Sequence, residues 1–268
     1  MAVMTTPTTP STPTTPGDGD PQGPEALRPL DEDWATALAV VAHPDDMEFG
    51  AAAAVARWTG QGKQVAYVMV TSGEAGIDGM HPDEARRVRE AEQVASARAV
   101  GVAEVEFLGF PDGLLEYGLP LRRAVAGAIR RHRPEVVITG NYRETFPGGM
   151  LNQADHMATG RAVVDAVRDA GNRWVFTDQL EAEGLEPWGG VRQVWVSGSP
   201  DAAHAVDVTA TFDAGVASLR AHAAYLDGLG WDGFDPAEFL GGMTTATGEA
   251  FGTRHATAFE VLRMGWDD

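Results

Sequence analysis

Residues 36–70 read TALAVVAHPDDMEFGAAAAVARWTGQGKQVAYVMV. A short apolar run rich in Val (36–42) breaks into a polar turn. An alanine-rich stretch follows, closed by Gly60 and Gly62, and a second apolar run begins at Gln64. The two apolar runs have the length and composition of buried strands, and the segment between them reads as a helix ended by glycines. Strands joined through a helix make a βαβ unit, which needs a parallel sheet.

The same alternation continues outward. Residues 82–101 form a helical stretch with Pro82 at its start and Gly101 at its end. Strands are expected at 103–110 and 134–141, with helices at 119–133 and 153–171. Beyond these, 191–199 and 204–209 read as strands, 210–230 as one long helix, and the stretch after His255 as a terminal strand. Loops are expected at 74–84, 142–151, 177–190 and 227–253. The expected fold is a single Rossmann-like, doubly wound α/β domain over 31–268, with a mostly parallel sheet and helices on both faces. Residues 1–30 are Thr, Pro and Gly with few large apolar side chains, so they read as a disordered tail, with order beginning near Trp34.

The chain has 268 residues and a formal net charge of −19. That charge argues against nucleic acid and anionic membranes as partners, since phosphate backbones are bound by concentrated Lys and Arg. No apolar run is long enough to span a bilayer, and the N-terminus lacks the basic flank and apolar core of a secretory signal. Cysteine is absent. Thiol nucleophiles, thiolate metal sites and disulfides are thereby excluded, and a cytoplasmic setting is expected. Lys63 is the one lysine and the one Schiff-base candidate; its place in a helix–strand turn suits a solvated surface role.

Ligands in doubly wound sheets bind beyond the carboxyl ends of the strands. His43-Pro44-Asp45-Asp46 stands at such an end. His43 and Asp46, three apart across a turn begun by Pro44, can converge on one point while Asp45 points elsewhere. An imidazole and a carboxylate suit a zinc ion, and a catalytic site takes three protein ligands plus water. Asp45, beside the metal, would suit a general base. The plainer reading is an acidic turn whose aspartates cap the next helix. His156, with Asp155 beside it, follows the strand at 134–141 and supplies a candidate third ligand, although an exposed helix histidine is the commoner case. Glu48 could orient His43 or simply favour the helix dipole.

AHPDDMEFG (42–50) resembles the signature of the PIG-L/LmbE-like zinc-dependent N-acetylglucosaminyl deacetylases. VTSGEAG (70–76), REAEQVASARAVGV (89–102), FLGFPDG (107–113) and NQADHMATG (152–160) extend the resemblance over most of 36–172. The resemblance implies His43, Asp46 and His156 as zinc ligands and Asp45 as general base. It implies that Asp155 supports neighbouring histidine chemistry, and that Arg89 and Asp112 contact substrate. It also exposes a departure. Gln153 stands where the family commonly has a histidine that stabilises the oxyanion, and an amide can donate a hydrogen bond but cannot deliver a proton. His255 is the leading outside candidate for that work. His222, His132 and His204 read as helix-face residues, and His81 as a loop residue.

The expected activity is metal-dependent hydrolysis of an acetamide on an N-acetylglucosamine-containing small molecule. The alternatives are an amidase acting on a larger thiol or antibiotic conjugate, and an inactive metal- or sugar-binding relative. Fe²⁺ could replace Zn²⁺ in a His₂Asp site. A dehydrogenase is set aside: the literal match GLGWDG (228–233) follows a helix and not the first strand. Homo-oligomerisation is left open.

Overall fold

The computed structural model describes residues 26–231 and 233–265. Its strands are β1 (Arg28–Pro29), β2 (Thr36–Val41), β3 (Gln64–Met69), β4 (Val105–Phe107), β5 (Val136–Gly140), β6 (Gln193–Ser197), β7 (His204–Asp207) and β8 (Ala256–Arg263). They form one sheet in the order β1-β7-β8-β6-β5-β2-β3-β4. All neighbours run parallel except β8, which is antiparallel to both β6 and β7.

Helices α1 (Asp46–Gly50), α2 (Ala52–Gly60), α3 (Pro82–Ala99) and α4 (Leu119–His132) connect β2 through β5, and α5 (Ala154–Gly171) follows β5. After them come α6 (Thr177–Glu181), α7 (Phe212–Arg220), α8 (Ala223–Gly228) and α9 (Pro236–Phe251). Successive residues of β2 serve opposite faces. Ala37, Ala39 and Val41 pack with Trp34, Trp58 and Trp195, whereas Leu38 and Val40 pack with residues of α4 and α5 such as Leu121, Ile129 and Val163. A strand covered on both sides must be apolar throughout, which is why TALAVV shows no polar alternation.

From β2 the chain winds one way through β3 and β4, then returns to place β5 and β6 on β2's other side. The carboxyl ends of β2 and β5 therefore flank the point where winding reverses, where such sheets open a crevice.

Five expectations change, one of them being that the loop expected at 177–190 opens with α6 (Thr177–Glu181). The tail expected over 1–30 is partly ordered: Arg28–Pro29 pairs with β7 and Leu30 is buried, while residues 1–25 lie outside the described residues. The helix expected after the polar turn is two pieces, broken at Ala51. The long helix at 210–230 breaks at His222, whose ψ of 47° leaves the helical range. Most of the expected loop at 227–253 is α9. Its glycines lower helix propensity, but tertiary packing uses one of them: a Cβ on Gly248 would lie 2.7 Å from the Thr253 and Arg254 carbonyl oxygens. Its start carries a readable signal, since Asp235 accepts the Ala237 N–H at 2.8 Å and Pro236 opens the helix.

Candidate functional site

The turn after β2 is held in a conformation that side-chain-bearing residues seldom adopt. Asp45 has φ 93°, a cost the surroundings must over-determine. Its N–H donates to Gln93 Oε1 (2.9 Å). Arg89 Nη2 donates to the Pro44 carbonyl (2.5 Å) and to Asp45 Oδ1 (2.8 Å). The capping alternative is not what the carboxylates do. Asp45 stands at the N-cap of α1 without a side-chain cap bond, and Asp46 Oδ2 instead accepts the His43 N–H at 2.9 Å.

With the turn so held, three side-chain atoms from two strand ends converge. His43 Nδ1 lies 3.2 Å from His156 Nε2, and Asp46 Oδ1 lies 3.0 Å from His156 Nε2 and 3.7 Å from His43 Nδ1. Donors bound at 2.0–2.1 Å to a tetrahedral zinc stand roughly 3.3–3.4 Å apart, so the triangle has the right size. The far side of each ring gives a second test. His156 Nδ1 lies 2.9 Å from Asn152 Oδ1, while His43 Nε2 lies 3.1 Å from Asp112 Oδ1 and 3.3 Å from Asp155 Oδ2. An N–H on each outer nitrogen leaves both inner nitrogens as lone pairs facing one another and a carboxylate oxygen. A shared cation satisfies that arrangement, and hydrogen-bonded outer partners are the usual surroundings of metal-binding histidines. The donor set fits a divalent metal, and these three residues form a cluster able to hold one.

The carboxylates around the two rings supply negative charge, which favours a bound cation or, in its place, a ring proton. Burial works to lower both histidine pKa values. Asp112, Asp155 and Asp46 nevertheless hold His43 well above its ordinary range, and Asp46 holds His156 above its own. Burial would raise Asp46, but His156 and His43 keep it well below the usual carboxylate value. Asp45 differs. Burial raises it to about 6, with Arg89 opposing and Asp46 adding to the rise. Two adjacent carboxylates thus have opposite character. One is held as an anion by the histidines, while burial pushes the other toward its protonated form.

The remaining candidates are placed as follows. Asp155 accepts the Gly113 and Leu115 N–H groups (2.8 and 3.1 Å) and faces His43 at 3.3 Å. Burial would raise its pKa, but His43 and those two amides hold it low. Gln153 is exposed at the N-cap of α5 and makes no side-chain cap bond. Arg89 is 2% exposed and occupied by Asp45, Pro44 and Gly73, and Asp112 is bound to His43 and the Ala75 N–H. Both side chains are thus engaged by groups of the chain itself.

His255 does not join the cluster. It stacks on Phe212 (4.3 Å, 10°) and lies 3.0 Å from Thr244 Oγ1, sealed in by α9. Glu48 does not reach His43 either. It is fully buried, accepts from Ser96 and Gln93, and faces His222, itself fully buried and not on an open helix face. His81 caps α3 at the surface, His132 pairs with Glu106, and His204 lies in β7. Lys63, instead of being freely solvated, donates to the Glu32 and Trp34 carbonyls.

Asn152, Gln93 and Tyr225 escaped the sequence reading. The first had a signal: an Asn four residues before a candidate ligand histidine, at a helix start, is well placed to accept from its ring. Gln93 had none. Tyr225, over Arg89 at 3.9 Å, belongs to α8, whose separate existence depends on the break at His222.

The sequence profile described as PIG-L, GlcNAc-PI de-N-acetylase, matches residues 38–167, the stretch that carries the whole cluster. A probable N-acetyl-alpha-D-glucosaminyl L-malate deacetylase 2 of Bacillus anthracis is 31% identical over 137 residues, covering 48% of this chain and 58% of that one. This chain thus spans less than two thirds of that relative. The 1D-myo-inositol 2-acetamido-2-deoxy-alpha-D-glucopyranoside deacetylase of Mycolicibacterium gilvum is 30% identical over 223 residues, covering 70% of this chain and 75% of its own. Among solved structures, the N,N'-diacetylchitobiose deacetylase of Pyrococcus horikoshii superposes with a TM-score of 0.78 over 87% of this chain and 85% of its own. At 23% identity that match speaks for the fold.

Proposed function

The chain belongs to the PIG-L family, and from that membership we propose that it hydrolyses the acetamide of an N-acetylglucosaminyl group on a small molecule. The two named relatives differ in what the amino sugar is attached to, malate in one and inositol in the other. What their names share is the acetylated glucosamine, so the acetamide is the part we carry to this chain. We assign His43, Asp46 and His156 to hold a zinc ion; Fe²⁺ could take the same donors. When bound, the metal supplies a Lewis acid that polarises the amide carbonyl and makes a water nucleophilic at neutral pH.

The chain's own residues do the rest. Asp45 takes a proton from the attacking water, and Arg89 keeps its carboxylate from swinging away. The resulting tetrahedral centre collapses with cleavage of the C–N bond, and the proton held by Asp45 passes to the departing nitrogen, giving acetate and a free amine. Gln153 cannot serve as that acid. An Asp45 that both accepts and returns one proton makes a second acid unnecessary, and a carboxyl with a pKa of about 6 suits both directions.

The observation that carries this reading is the contrast between Asp46, bonded into the convergent triangle, and Asp45, buried beside it with its own tether. The inactive-relative reading has no use for the second carboxylate. Within the described residues no helix is long and apolar enough to cross a membrane, and we take the setting to be cytoplasmic, as the cysteine-free sequence suggests.

The test is metal analysis of the purified chain, with acetate release measured across a panel of N-acetylglucosaminides. Near-stoichiometric zinc or iron and release from at least one substrate are expected. A chain without affinity for either metal would sink the proposal.

A further inference from the structure

One short segment touches the Asp45 turn from the side and has no part in the chemistry above. Helix α8 is six residues long and buries none of them fully. Such a helix has little stability of its own, so what places it matters. Glu92 of α3 accepts the Ala224 and Tyr225 N–H groups at its first turn (2.5 and 3.4 Å). His222, immediately before it, is fully buried with Nε2 3.6 Å from Glu48 Oε2, and Glu48 belongs to α1, two residues beyond Asp46. The segment is hydrogen-bonded to the helix that carries Arg89 and lies against Glu48 of the helix that the catalytic turn begins.

This fastening delivers Tyr225. Its ring lies over the Arg89 guanidinium at 3.9 Å. Arg89 gives hydrogen bonds from its Nη atoms to Asp45, Pro44 and Gly73, while its buried Nε has no partner. The aromatic face covers the guanidinium's open side, where water would otherwise compete for the ion pair. Packing alone gives weak reason for a tyrosine here: Leu226, and not Tyr225, is the α8 residue packed against the neighbouring apolar cluster of Val216, Leu219 and Leu240.

We propose that Tyr225 is a positioning residue for the general base. Its ring keeps the Arg89–Asp45 pair dry, so that Asp45, tethered by Arg89, meets water and amide in a single pose. The inference rests on the deacetylase reading. It acts through Asp45 and contributes no atom to the reaction.

Tyr225→Ala and Tyr225→Phe, prepared as full-length zinc-loaded protein, separate ring from hydroxyl. With the best substrate of the panel, Tyr225→Ala should lower kcat by roughly 100-fold, the scale of a slightly misplaced reacting group. KM and bound zinc should stay near wild type. Tyr225→Phe should recover most of that loss. In an Asp45→Asn background, Tyr225→Ala should cost nothing further, because the group it positions is gone; a merely structural defect would multiply through.

A readout without turnover is the Arg89 side-chain N–H signal in NMR spectra. It should be shifted upfield by the ring in wild type and Tyr225→Phe, and released in Tyr225→Ala. Unchanged kcat in Tyr225→Ala, an equal loss in the Asp45→Asn background, or an Arg89 signal indifferent to Tyr225 would each overturn the proposal. A wild-type chain with the upfield Arg89 signal but no acetate release would overturn the deacetylase reading instead.

Discussion

Asn152 Oδ1 lies 2.9 Å from His156 Nδ1, while the amide nitrogen of the same side chain donates to the Asn141 and Arg143 carbonyls. One buried amide thus fixes the loop after β5 and, through the ring's tautomer, turns the His156 Nε2 lone pair toward His43 and Asp46. Asn152→Ala should therefore weaken zinc binding by about 10–100-fold, as loss of an outer partner does. Competition with a chromogenic chelator measures this, and wild-type affinity in the variant would remove Asn152 from the site.

Asp45→Asn keeps the shape of the turn and the Arg89 contact at Oδ1, but it cannot take a proton. Acetate release should fall by about 10²–10⁴-fold, with zinc content unchanged because Asp45 is not among the three convergent donors. Retained turnover would assign the base elsewhere.

His255 should prove structural. Stacked on Phe212 and set against Thr244, it should tolerate replacement in the assay and not in the fold. We expect His255→Ala to keep kcat within about twofold and to lose about 1–3 kcal/mol in urea unfolding, the usual range for a buried side chain. A selective loss of kcat at unchanged stability would return His255 to the mechanism.

Acid should weaken the fold partly through Glu32. Burial works to raise its carboxyl pKa, but bonds from Arg57 and Trp58 outweigh it and hold the group below its ordinary 4.5. A carboxyl whose pKa is depressed on folding stabilises above its unfolded pKa, and that contribution fades as pH falls through the folded value. The stability gap between wild type and Glu32→Gln should thus be full at neutral pH and close below pH 4.5. A gap independent of pH would contradict this.

The sheet and the convergence of His43, Asp46 and His156 were legible because each depends on short-range pattern: apolar runs, a polar turn, and the rule that strands deliver ligands at their carboxyl ends. The partners behind them were not. Tyr225 reaches Arg89 across more than a hundred residues, and only the packing of His222 against Glu48 shows where the helix must stop. α9 was hidden by Gly241, Gly242 and Gly248, although Asp235-Pro236 announced its start. His255 shows the converse error. A histidine before a strand can serve a site or a seam between helix and sheet, and the covering helix, unseen in the sequence reading, decided it.

His43 and His156 are 113 positions apart, one following β2 and the other following β5, which lie side by side at the point where the winding reverses. An ion held between them is a cross-link closing a very long loop. It gains its full ligand set only after the slowest kind of contact, a pairing of distant strands, has formed. Metal added during refolding should leave early collapse untouched and trap the last step, so that capture of the ion reports the moment at which the two halves of the sheet meet.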